Sequence, residues 1–94
     1  MKLFTARQVR EAIAFAKSGG QALHIHPFTS SGVRLFRRYP ESAHLFDMDK
    51  ERLIATSKSL GLKVIKIERE GTETQHIDLC ARPLSRAKSM CTDT

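Results

Sequence analysis

Residues 43–62 read AHLFDMDKERLIATSKSLGL, and a shorter echo, HIDL, follows at residues 76–79. Each segment opens on a histidine with an aspartate close behind: His44 and Asp47, then His76 and Asp78. Between them lies a well-punctuated helix over residues 49–60. Asp47 or Asp49 can cap it, Glu51 suits the positive first turn, Lys58 suits the last, and Gly61 is a natural terminator. Leu53, Ser57 and Leu60 mark its inward side, flanked by Ile54. Residues 43–46 read as the strand that feeds it. A strand opening into a helix leaves backbone N–H groups pointing outward, where anions collect.

Upstream, residues 5–18 form an amphipathic pattern with Val9, Ala12, Ile13 and Ala16 on one stripe. Thr5 and Gln8 have capping-box spacing, Phe4 and Val9 the spacing of a hydrophobic staple, and Gly19-Gly20 ends the helix. Residues 21–26 read as a strand that Pro27 stops, with Leu23 and Ile25 on one face and His24 and His26 on the other. Residues 28–42 hold a loop and one or two helical turns ending before Pro40. Downstream, residues 62–68 (LKVIKIE) are rich in β-branched residues and predict a strand. Residues 70–72 make a turn, residues 75–80 a further strand, and Pro83 the first turn of a last helix reaching about Met90. Residues 91–94 form a frayed tail.

The sum is a small single-domain α/β sandwich over residues 1–94, with a mixed four-stranded sheet and about three helices. The strands on either side of the middle helix are expected to run parallel through a right-handed crossover. Ninety-four residues leave no room for a second core. The apolar share of 40% and the charged share of 28% fit a globular chain rather than a disordered one. No apolar run nears the roughly 18 residues that span a bilayer, and polar residues interrupt the N-terminus, so a cytoplasmic location is expected. Cys80 and Cys91 are isolated and read as reduced thiols.

Charge divides the chain. Residues 1–40 carry seven basic residues, Lys2, Arg7, Arg10, Lys17, Arg34, Arg37 and Arg38, against Glu11 alone. That part therefore holds the whole net charge of +6, and residues 41–94 balance. Such asymmetry points to a polyanion, nucleic acid first among them. Arg34, Arg37 and Arg38, with Arg7, Arg10 and Lys17, are the candidate phosphate contacts, since the guanidinium fork donates two hydrogen bonds at once. The absence of Trp and the single Tyr argue against a base-stacking platform, although Phe36 and Tyr39 interleave the arginines.

The His/Asp residues carry the other chemistry. His76 and Asp78 are two apart on a strand and leave the same face. If the strands are neighbours, His44, Asp47, His76 and Asp78 converge as ligands or acid/base groups, and imidazole with carboxylate suits Zn, Mn or non-haem Fe. His24 and His26 are a second same-face pair with a spacing that one metal ion accepts. A bland reading stands beside each: Asp47 capping the helix, histidines as surface hydrogen-bonders, arginines as a solvated face.

The run HLFD, then LIATSKSLGL, then HIDL, then a helix with Arg86-Ala87 resembles a family of small bacterial and phage proteins, the domain of unknown function DUF four-zero-three-one. The resemblance covers residues 44–88 and carries His44, Asp47, His76 and Asp78. Ile77 stands where that family has an aromatic residue, and residues 1–40 have no counterpart in it. With no established activity for the family, the resemblance marks a site and implies no reaction. Three function classes follow from the sequence. The first is a nucleic-acid-binding domain using phosphate contacts of the basic part. The second is a metal-dependent phosphodiester or nucleotide hydrolase using the His/Asp residues. The third is a phage or mobile-element module that meets an acidic protein surface.

Overall fold

The computed structural model describes residues 1–27 and 41–91. Four strands form one mixed sheet: β1 (Lys2–Phe4), β2 (Ala22–Pro27), β3 (Glu41–Phe46) and β4 (His76–Leu79), in the order β1-β2-β3-β4. The three helices are α1 (Val9–Lys17), α2 (Lys50–Ser59) and α3 (Ala81–Met90). The α/β class, the mixed four-stranded sheet and the three helices agree with the sequence expectation.

The sheet is covered unequally on its two faces. Period-two alternation sends Leu23, Ala43, Leu45, Ile77 and Leu79 to one side, where Leu53 and Leu60 of α2 and Leu84 and Ala87 of α3 close over them. The other side takes Phe4, Ala22 and Phe46, against which Ala12 and Ala16 of α1 pack. The small alanines let α1 lie close to the sheet, where, among the described residues, it covers Phe4, Ala22 and Phe46. The remaining side chains on that face are polar.

The helix ends follow their residues. Asp49 is the N-cap of α2, accepting the Arg52 N–H at 3.1 Å. At its other end Gly61 takes φ +88°, and Arg86 donates to the Leu60 carbonyl (3.0 Å) above it. Upstream, residues 5–18 divide into a 3-10 turn at Ala6–Gln8 and then α1. Gln8 Oε1 accepts the Thr5 N–H at 2.9 Å. The staple does not form: Phe4 is buried against Phe15 while Val9 stays exposed.

Two expectations are corrected. Residues 62–68 are not a strand; the chain bends at Lys63 and Val64, and only Glu68 pairs with the sheet, through a single bridge to His76. Their apolar side chains Leu62, Ile65 and Ile67 are satisfied by packing on the cluster under α2 and α3. The fourth strand is β1, which pairs parallel with β2 across α1. Consequently the parallel crossover surrounds α1 rather than α2. β3 and β4, before and after α2, are antiparallel, because residues 60–75 carry the chain back along the sheet before β4 begins.

Candidate metal centre

Pairing register assembles the polar face. His24 lies opposite His44 in the β2–β3 ladder, and His44 lies opposite Asp78 in the β3–β4 ladder. One rung across the sheet therefore reads Phe4, His24, His44, Asp78. The neighbouring rung holds Phe46 opposite His76, and on the other side His26 lies opposite Ser42. All four histidines thus share one face. His44 is the centre: its ring centroid lies 4.5 Å from that of His76, 4.7 Å from His26 and 6.3 Å from His24.

Backbone geometry draws His44 and Asp78 closer still. The His76 N–H and C=O both bond to Glu68 on the outer side, at 3.0 and 2.8 Å. By alternation His76 and Asp78 turn their backbone polar groups away from β3, so Asp78 and His44 are a non-hydrogen-bonded pair. Side chains in such pairs stand nearest each other. His44 Nε2 lies 3.3 Å and His76 Nε2 3.4 Å from the same oxygen, Asp78 Oδ1. One ligand atom from each of the three residues falls within 4.8 Å of the others. Two ligands each about 2.1 Å from one ion stand about 3.0–3.4 Å apart, so both carboxylate separations already suit a shared ion.

Orientation of His76 is fixed from behind. Its Nδ1 lies 2.7 Å from the Thr74 carbonyl, which can only accept, so Nδ1 carries the hydrogen and Nε2 faces the site. A backbone carbonyl on the far ring nitrogen is how ligating histidines are commonly held. His24 is fixed the same way: Nε2–H donates to the Ala6 carbonyl at 3.1 Å. Its Nδ1 is buried with no partner among the described residues.

Titration behaviour follows from this crowding. Burial pushes the His44 imidazole down to about 4, with further lowering from His76, His26 and His24, against an opposing pull from Asp78. For His76, burial also acts downward. The hydrogen bond to Asp78, the Thr74 carbonyl and the charges of Asp78 and Glu68 outweigh it and raise the group. Asp78 is held below its ordinary value, first by its bond to His76 and against the effect of burial. Its side chain is 61% exposed, against 35% for His44 and 11% for His76, so the site is open on the Asp78 side.

Asp47 does not join this group. It lies just past the end of β3, fully buried, in a bidentate pair with Arg52 (Oδ1–Nη2 and Oδ2–Nε both 2.7 Å). Gln21 Nε2 (3.0 Å) and the Asp49 N–H (2.9 Å) donate to the same carboxylate. It does not cap α2 either, since Asp49 does. The His24/His26 pair is likewise not the three-ligand group: Nε2 of His24 is committed to Ala6, and His26 sits beside the Ser42 hydroxyl at 3.3 Å. Among the basic candidates, Arg7 and Arg10 are exposed on the 3-10 turn and α1. Lys17 pairs with Glu73 at 3.4 Å. Arg34, Arg37 and Arg38 lie outside the described residues.

Thr74 and Glu68 contribute to the site without a sequence signal, because each acts through its backbone on His76. Arg52 carries none beyond its charge. Comparison with models of known families, with curated proteins and with solved structures finds no match. No helix among the described residues is long and apolar enough to cross a membrane.

Proposed function

We propose that the protein is a metal-dependent phosphoester hydrolase whose divalent transition-metal ion is held by His44, His76 and Asp78. The observation that carries the reading is the convergence of two imidazole nitrogens and one carboxylate oxygen within 4.8 Å. A set of two histidines and one carboxylate suits Zn, Mn or Fe(II) and leaves coordination positions open. An ion there supplies a hydroxide near neutral pH and polarises a phosphoryl oxygen. Openness on the Asp78 side favours entry of a substrate from solvent, and the +6 charge of residues 1–40 favours an anionic one. Arg7 and Arg10 are the described residues that would meet its phosphates, with Arg34, Arg37 and Arg38 as further candidates from the sequence.

Thermal melting with and without zinc, manganese or ferrous ion tests the reading. At one hundred times its dissociation constant, a bound ion stabilises the fold by about 2.7 kcal/mol, which moves the melting temperature by many degrees in a domain of this size. Asp78→Ala should melt normally without metal and lose that response. Wild-type protein loaded with the same ion should cleave bis(p-nitrophenyl) phosphate, and Asp78→Ala should not. Absence of a shift with all three ions would overturn the metal reading. If an ion binds without turnover, the charge of residues 1–40 favours a polyanion-binding domain instead. Its mark would be affinity for nucleic acid that falls steeply with salt.

A further inference from the structure

After bends at Lys63 and Val64 the chain reaches the outer edge of β4, where it enters the sheet at one point only. Glu68 exchanges two backbone hydrogen bonds with His76, at 2.8 and 3.0 Å. Ile65 and Ile67 already rest on the core cluster under α2 and α3. Lys66 and Val64, the alternate positions, are thrown outward, at 81% and 82% exposure. Val64, Ile65 and Ile67 give the run the composition of a strand. Beyond His76, β4 is the edge of the sheet among the described residues, with the N–H and C=O of Asp78 facing outward.

Register determines what would follow if pairing continued. In an antiparallel ladder the hydrogen-bonded pairs recur every second residue on each strand. After Glu68 and His76 the next such pair is Lys66 and Asp78. Ile67 would then stand opposite Ile77 and Ile65 opposite Leu79, on the side where all four already meet the same cluster. Lys66 would take the histidine face, beside the carboxylate of the metal centre. The pairing needs no new core. What it lacks is a reason to order an exposed lysine, whose present partner is the half-exposed Glu68 (3.3 Å), and an anion at the site supplies one.

We propose that residues 65–68 zip onto β4 as a fifth strand when an anion occupies the metal centre, and that Lys66 then holds a phosphoryl oxygen of the substrate. The inference rests on the metal-dependent reading above and adds to it a positioning residue and a phosphoryl group as the part recognised.

Zinc-loaded protein titrated with inorganic phosphate tests it, read by phosphate affinity and by amide exchange at residues 65–67. Phosphate should slow exchange of the Lys66 amide. Lys66→Ala should keep the zinc-induced rise in melting temperature and lose phosphate affinity by about tenfold, the order of one charge-assisted hydrogen bond. Lys66→Arg should restore most of that affinity. Undiminished phosphate binding in Lys66→Ala, or unchanged Lys66 exchange in the unmodified protein, overturns this inference and leaves the metal centre standing. No zinc response in the unmodified protein overturns the metal reading, and the inference falls with it.

Discussion

Asp47 and Asp78 belong to the same pair of His/Asp segments, and their surroundings could hardly differ more. A carboxylate offers about four acceptor sites. Asp47 has four filled: two by Arg52, one by Gln21 and one by the backbone of Asp49, in a place with no solvent. Among the described residues Asp78 meets two imidazole nitrogens, both at one oxygen and both beyond 3.2 Å, and most of its side chain is in water. A saturated carboxylate has nothing left to offer an ion or substrate, whatever its sequence neighbours. An unsaturated one flanked by two histidines, one of them held from behind by a backbone carbonyl, does. Satisfaction of the acceptor sites, rather than the spacing from a histidine, separates the structural aspartate from the candidate ligand.

That contrast breaks first if Arg52 is removed. Arg52→Leu leaves the Asp47 charge buried without its main partner and should cost about 3–5 kcal/mol, read by urea unfolding. A loss under about 1 kcal/mol would place the pair with ordinary surface ion pairs, and Asp47 would again be available as a ligand.

Acid sensitivity sharpens the other half of the comparison. Folding keeps His44 neutral down to about pH 4, whereas the unfolded chain protonates it near its ordinary 6.5. Between those values the unfolded state binds the extra proton, so this group makes stability fall as the pH is lowered from 6.5 to 4. His76, with its raised value, acts in the opposite sense. Its contribution is fully present below 6.5 and is lost as the pH rises through the folded value. His44→Asn in chelator-containing buffer should therefore flatten the acid side of the stability curve. Superimposable curves for the two proteins would mean that His44 is not shielded as its neighbours imply.

The smallest effect belongs to the cap. Asp49→Ala removes one side-chain bond to the Arg52 N–H and should cost about 1 kcal/mol. A cost as large as that of Arg52→Leu would show Asp49 to be part of the buried network rather than a helix end.

Much of this fold was legible in the sequence, since periodicity, caps and turn residues act locally. Helices α1, α2 and α3 and strands β2, β3 and β4 sit within a few residues of their expected places. The misreading of residues 62–68 has a physical cause. β-branched composition reports how well side chains fit a half-buried surface, and packing of Ile65 and Ile67 on the cluster under α2 and α3 satisfies that as well as a ladder does. Three-residue β1 is too short to show a period, and it is a strand only because β2 lies beside it. Alternation placed His24 with His26 and His76 with Asp78, but the shared face of all four histidines and their convergence depended on the pairing of His44 with His24 and with Asp78, a long-range register. Asp47 was misplaced for a simpler reason. Three positions after His44 it has the wrong parity for that face, and the chain has already left the strand.

The network around Asp47 also bears on how the molecule comes apart. Arg52 reaches the carbonyls of Gly19 (2.9 Å) and Gly20 (3.2 Å), Gln21 reaches Thr56 (2.9 Å), and Gln75 reaches the Asp47 carbonyl (2.8 Å). Three segments distant along the chain are tied at one point, which can close only after each has found its place. Interactions of such late closure are weak in the folding transition state and strong in the native one, so they chiefly set the rate of unfolding. The junction around Asp47 is therefore expected to act as a kinetic latch: Arg52→Leu should speed unfolding while leaving the rate of folding nearly unchanged.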